Sequence, residues 1–260
     1  MRLSISAMLD YTIRDSADVL LQLEVAPDTH DQVIHRGHMT VSTGAELHPF
    51  PAEEGFGRRT WTQGAGHFRA EYNADVTIER ERADIAGLQA MPYHKLPQLV
   101  VPYLWPSRYC QSDRFEIFVG KVFGDVAGGD KIIAMNDWID EQLDYVPGTS
   151  DGTTTAVDTF TTREGICRDY AHLLITFARA AGIPARMVSA YGLGVEPQDF
   201  HAVVEVWLDD KWHLIDPSRL AEQDGLARIV VGRDATDIAF MTIFGSAQLN
   251  EQKVSVERVD

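Results

Sequence analysis

The chain has 260 residues, 45% of them hydrophobic and 24% charged, which is ample for a packed core in one large or two ordinary domains. Its formal net charge of -16 argues against a nucleic-acid binder, which needs a basic patch for phosphates, and disfavours docking to anionic lipid. Two cysteines, Cys110 and Cys167, make no disulfide framework, and spare thiols fit a reducing compartment.

The opening MRLSISAMLDYTIRDSADVL has no apolar stretch between a basic start and a small-residue cleavage site, so no signal peptide is read there. No run of about 18 apolar residues suggests a membrane span. A cytoplasmic chain with no membrane partner is expected. Leu3–Ile13 and Val19–Val25 are short apolar segments separated by Arg14–Asp18, and Val33–Val41 has a similar character. Glu46–Gly66 is rich in Gly and Pro and reads as connecting loop. From His67 to Glu79, Phe68, Ala70, Tyr72, Ala74, Val76 and Ile78 fall on one parity, the period of a half-buried strand. These strands predict a mostly-β N-terminal domain over 1–95.

Pro92, Pro97, Pro102 and Pro106 punctuate Asp84–Pro106, a natural place for an inter-domain crossing near residues 84–100. In the second domain, 96–260, Ile132, Ile133, Met135, Trp138, Ile139 and Leu143 are close to helical spacing, and residues 147–164 read as loop. The clearest helix runs from Cys167 to Ala181. Tyr170, Leu173, Leu174, Phe177, Ala178 and Ala181 line one face, and Gly182 and Pro184 mark its stop. Strands follow at 186–191, 201–208 and 211–215.

Cys167 stands at the first turn of that helix. Unpaired N–H groups and the partial positive charge of a helix start favour thiolate over thiol, and the same N–H groups suit a substrate oxyanion. Gly165 leaves room for close approach to the backbone. A lone cysteine here is most often just a small buried residue, so the hairpin HAVVEVWLDDKWHLIDPS carries the rest. A two-residue turn at Asp209-Asp210 pairs Trp207 with Trp212 and sets Asp216 opposite Val203. His201, two residues from Val203 on the same face, becomes a diagonal neighbour of Asp216, roughly 5–8 Å away at the backbone. A histidine that takes the thiol proton and a carboxylate that orients it complete a nucleophile, base and orienter.

Several other groups are read as structural. Asp169 suits the helix start. His172 reads as a core histidine, and His213 points away from the Asp216 face. Cys110 reads as structural, while Glu205, on the His201 face, is a candidate cleft border. His30, His35 and His38 read as solvated residues rather than metal ligands. No calcium loop and no phosphate-binding glycine fingerprint appears, so no metal or organic cofactor is expected.

Gly165-Ile166-Cys167-Arg168-Asp169-Tyr170-Ala171-His172-Leu173-Leu174, continued by Arg179-Ala180-Ala181-Gly182-Ile183-Pro184-Ala185-Arg186, resembles the nucleophile helix of bacterial transglutaminase-like proteins. His201-Ala202-Val203-Val204-Glu205-Val206 resembles their histidine strand, and Trp212-His213-Leu214-Ile215-Asp216-Pro217 their aspartate strand, in the same order. The resemblance covers about residues 130–220. Tyr103–Cys110 and the opening β region also look similar to this group. The His strand departs from many relatives in carrying Val203 where they carry tryptophan, so an aromatic near the site is sought in Trp207 or Trp212. The resemblance implies an α+β fold, a papain-like, transglutaminase-like core preceded by a mostly-β N-terminal domain. It also implies thioester chemistry on a peptide or protein substrate. Relatives hydrolyse peptide bonds, transfer acyl groups to amines, deamidate glutamine, or have lost activity. A cysteine peptidase is therefore expected, with acyl transfer and a silent, peptide-binding scaffold as the alternatives.

Overall fold

In the computed structural model, which describes residues 1–27 and 30–260, the chain opens with β1 (Arg2–Leu21). The two short strands expected here are one, carried past Arg14–Ser16 by a bulge between Ile13 and Ala17. β2 (Gln32–Val41), β3 (His48–Pro51) and β4 (Arg58–Ile78) follow, and β4 pairs antiparallel with all three. The alternating residues from Phe68 to Ile78 are buried, as their parity requires. Glu46–Gly66, expected as loop, is largely strand. Its glycines misled because Gly64 serves packing: a Cβ there would come within 2.6 Å of Phe68 and 2.7 Å of Ile13.

Beyond the proline-punctuated crossing come α1 (Glu116–Val122), α2 (Gly128–Gln142), β5 (Asp144–Tyr145), α3 (Ala156–Thr162) and β6 (Glu164–Gly165). α3 lies inside the predicted loop, started by a capping box between Thr155 and Asp158. Next are α4 (Cys167–Ala180), β7 (Ala185–Gly192), β8 (Phe200–Leu208), β9 (Lys211–Ile215) and β10 (Leu226–Gly232). Short α5 (Ala235–Ile238) and strands β11 (Met241–Ile243) and β12 (Ala247–Arg258) end the chain.

Two sheets result. β10-β7-β8-β9 is antiparallel throughout, with α4 packed on β7 and β8 and with α1, α2 and α3 around α4. β11 and β12 return to pair with β1, so the first sheet takes strands from both ends of the chain. One apolar cluster joins the layers, from Leu3 and Ile5 through Leu174 and Phe177 to Val256. Among the described residues, no helix is long and apolar enough to cross a membrane.

Candidate active site

Cys167 is the first residue of α4, so its backbone N–H has no acceptor within the helix. The helix start is built by its neighbours. Ile166, in extended conformation, donates its N–H to the Asp169 carboxylate at 2.9 Å. Asp169 is fully buried and also meets the Arg168 guanidinium at 3.2 Å. Arg168 in turn donates to the Asp151 carbonyl at 2.7 Å, pinning the loop ahead of α3. Gly165 is needed for this turn, since a Cβ there would lie 2.7 Å from that of Asp169. At the far end, Gly182 takes the left-handed φ of +74° that closes the helix.

The hairpin has the register that parity predicted. Trp207 faces Trp212 and Val204 faces Ile215 across β8 and β9, through a turn in which Asp209 and Asp210 both have positive φ. Asp216 follows directly. The His201 Nε2 and Asp216 Oδ2 are 2.7 Å apart, with His201 fully buried. Asp216 is itself fixed, accepting from the Ser218 hydroxyl at 2.7 Å and the Ala221 N–H at 2.9 Å.

With Nε2 committed to Asp216, Nδ1 makes no complete hydrogen bond within the fold and is the nitrogen left for the thiol side. Burial opposes a charge on the ring. Hydrogen bonding and attraction from Asp216 and Cys167 outweigh it and push His201 up to about 10. Burial likewise opposes charge on Asp216, and His201 with the Ser218 and Ala221 contacts overcomes it, holding the carboxyl below its ordinary value. The two groups thus favour an imidazolium–carboxylate pair beside the sulfur.

Cys167 and His201 line a cleft of about 550 Å³ between the two sheets. A further group stands at the thiol. β5 and β6 pair in parallel, setting Tyr145 beside Gly165, two residues before the cysteine. The Tyr145 hydroxyl lies against the Cys167 backbone N–H and thiol. Burial, then the neighbouring Cys167, pushes its phenol well above its ordinary value. Sequence reasoning missed this tyrosine because a two-residue strand has no periodicity. The pairing that places it joins segments twenty residues apart.

The other residues singled out by sequence fall elsewhere. His172 is fully buried, stacks on Tyr109 with ring centroids 4.9 Å apart, and accepts from the Ala235 N–H; burial lowers it to about 3, so it stays neutral. Cys110 is fully buried, with its thiol pushed up to about 12 by burial. His213 faces the Leu208 carbonyl, and His35 bonds Thr77 on the first sheet. Glu205 does not border the cleft: it is buried between Arg186 and Arg228. Trp207 and Trp212 pack on each other at the turn end of the hairpin, so neither is the aromatic at the site. Tyr11, Tyr109, Phe200 and Phe240 line the cleft instead.

Residues 122–217 match the family model of the transglutaminase-like superfamily. The whole chain superposes on the crystal structure of a candidate cysteine protease from Cytophaga hutchinsonii. The TM-score is 0.91 at 32% identity, covering 100% of this chain and 91% of that one. An uncharacterized protein of Mycobacterium leprae is 34% identical over 118 residues, 42% of each chain. A protein-glutamine gamma-glutamyltransferase of Pseudomonas aeruginosa is 40% identical over 70 residues, 23% of this chain and 10% of that one. The match therefore spans less than half the length of these curated relatives.

Proposed function

Since the chain belongs to the transglutaminase-like superfamily, we propose that it is a cysteine-dependent amide hydrolase or acyl transferase acting on peptides or proteins through a thioester. One observation carries this reading: His201 spends Nε2 on Asp216 and keeps Nδ1 for the side of the ring that Cys167 occupies. In this reading His201 already holds the proton given up by the Cys167 thiol, and the sulfur attacks the carbonyl carbon of the substrate. His201 then delivers that proton to the departing amine as the C–N bond breaks, leaving a thioester. Water or a second amine attacks the thioester, gives its proton to His201, and returns the sulfur as leaving group. Asp216 holds the ring and balances its charge. The division into a β-rich segment over 1–95 and a catalytic segment over 96–260 belongs to the same proposal, with β11 and β12 carrying the second segment back onto the first sheet.

The reaction is tested by incubating the protein with a peptide ester and following intact mass. A transient adduct on Cys167, discharged by water and faster by added amine, identifies a thioester and sets hydrolysis against transfer. A chain that never acylates is the silent scaffold.

Tyr145 enters the proposal as the partner of the Cys167 N–H. The oxygen of the tetrahedral intermediate takes the position facing that N–H, and the Tyr145 hydroxyl turns to donate to it. Tyr145→Phe is then expected to lower kcat about 100-fold, with Cys167 still labelled by iodoacetamide. An unchanged or raised kcat would mean that the hydroxyl only fills the position in the resting protein.

A further inference from the structure

The cleft beside Cys167 is walled from two directions. The catalytic layer supplies Met187 and Phe200, the latter stacked on Phe240 with centroids 3.8 Å apart. The first sheet supplies Leu9 and Tyr11 from β1 and Met241 from β11. Leu9, Met187 and Phe200 are buried, whereas Tyr11, Phe240 and Met241 are half-buried and keep apolar surface open to the cleft.

Besides His201, the charged side chains in this lining among the described residues are Asp199 and Arg168, and both are engaged. Asp199 accepts from the Gln252 side chain and from the Phe200 N–H at 2.7 Å. Arg168 binds Asp169 and the Asp151 carbonyl. Gln198, next to Asp199 in the chain, exchanges two hydrogen bonds with the Val256 backbone, 3.3 and 3.2 Å long, so β12 holds the segment leading into His201. The apolar wall from the first sheet is thereby fixed relative to the histidine. A volume of about 550 Å³ falls within the range of about 300–1,000 Å³ usual for pockets that enclose a small ligand.

We infer that this cleft selects acyl donors with a bulky apolar side chain, aromatic, leucine-like or methionine-like, next to the reacting carbonyl. This rests on the thiol-acyl reading above and adds its substrate class. An apolar side chain removed from water between Tyr11, Phe240 and Met241 gains burial that alanine cannot, while a charged one loses hydration against a wall whose Asp199 and Arg168 are already held by other partners. The first sheet is then part of the substrate site.

The test uses the full-length protein and peptidyl acyloxymethyl ketones that differ only in the residue next to the ketone: Phe, Leu, Ala, Lys or Asp. Each probe alkylates Cys167 by forming a thioether as its carboxylate leaves, and intact mass gives second-order rates. Phe and Leu probes are expected to react at least about tenfold faster than Ala, and Lys and Asp more slowly still. Met241→Glu is expected to cut the Phe-to-Lys rate ratio at least about tenfold, and Met241→Leu to restore it. Iodoacetamide, which has no side chain to place, separates the two claims. If it labels Cys167 in a His201-dependent way but the five probes react alike, or Lys or Asp leads, the substrate class is wrong and the thiol chemistry stands. If iodoacetamide finds no such dependence, the underlying reading fails and the inference with it.

Discussion

Treated with iodoacetamide at pH 7, the protein is expected to gain one adduct quickly, on Cys167, while Cys110 remains unmodified until the chain unfolds. The two thiols differ in setting. Cys110 is fully enclosed and burial pushes it up to about 12, so neither access nor ionisation is available to it. Cys167 opens on the cleft at a helix start, facing the His201 ring. His201→Ala removes the cation and should slow Cys167 labelling about tenfold or more. Cys167→Ser should abolish the fast adduct, and turnover of any substrate should fall by about 10⁴ or more for either change. Asp216→Asn leaves the ring in place but withdraws a carboxylate that raises it. The ring then loses its proton at lower pH, and the alkaline limb of activity should move toward neutrality. Both the labelling contrast and this shift are needed. Equal labelling of the two cysteines in the folded protein, or a His201→Ala variant that labels at the original rate, would remove the basis for the thiol enzyme.

How much of this site was legible follows from the distance in sequence over which each contact acts. The His201–Asp216 pair is local: a two-residue turn fixes the register of β8 on β9, and period two then fixes which side chains meet. Cys167 was legible because its helix announces itself through Tyr170, Leu173, Leu174 and Phe177, and Gly182 marks its end. That the helix start meets the hairpin was supplied by family resemblance, not by any periodicity. Tyr145 had no such signal. Nor did β12, whose pairing joins Leu3 to Arg258 across almost the whole chain. Its few inward residues, among them Val254 and Val256, are too sparse to declare the pattern. Such contacts close very long loops and leave no local signature. Where local signals did mislead, side-chain packing had overridden them. Gly64 looks like a turn residue, yet it sits inside β4 because Phe68 and Ile13 leave no room for a Cβ.

Replacing Glu205 should cost more stability than any other single change to the hairpin. Sequence parity placed this carboxylate on the His201 face, but the structure gives it a different task. Glu205 is 1% exposed and accepts from Arg186 Nε at 2.7 Å and from Arg228 on its other oxygen. Arg186 also reaches Glu54 at 2.9 Å and lies 4.1 Å over the Trp212 ring, while Arg228 reaches Asp31 at 2.6 Å and covers Phe56. Asp31, Glu54 and Phe56 come from the first ninety residues, so the network ties the first sheet to β7, β8 and β10. In Glu205→Ala two guanidinium groups lose the anion between them in a buried site, a change that costs about 3–5 kcal/mol. For a chain of this size that is a Tm lower by about 10 °C or more, measurable by calorimetry. The pH dependence has a fixed sign. Burial opposes charge on Glu205, but Arg186 and Arg228 overcome it and hold the carboxyl below its ordinary value of 4.5. Its contribution is therefore present in full above that value and is lost as the pH falls through the lower, folded one. The difference in stability between wild type and Glu205→Ala should be constant near neutrality and shrink only in acid. A loss below about 1 kcal/mol at pH 7, or a gap that closes as pH rises, would show that the arginines find their counter-charge in Asp31 and Glu54 alone.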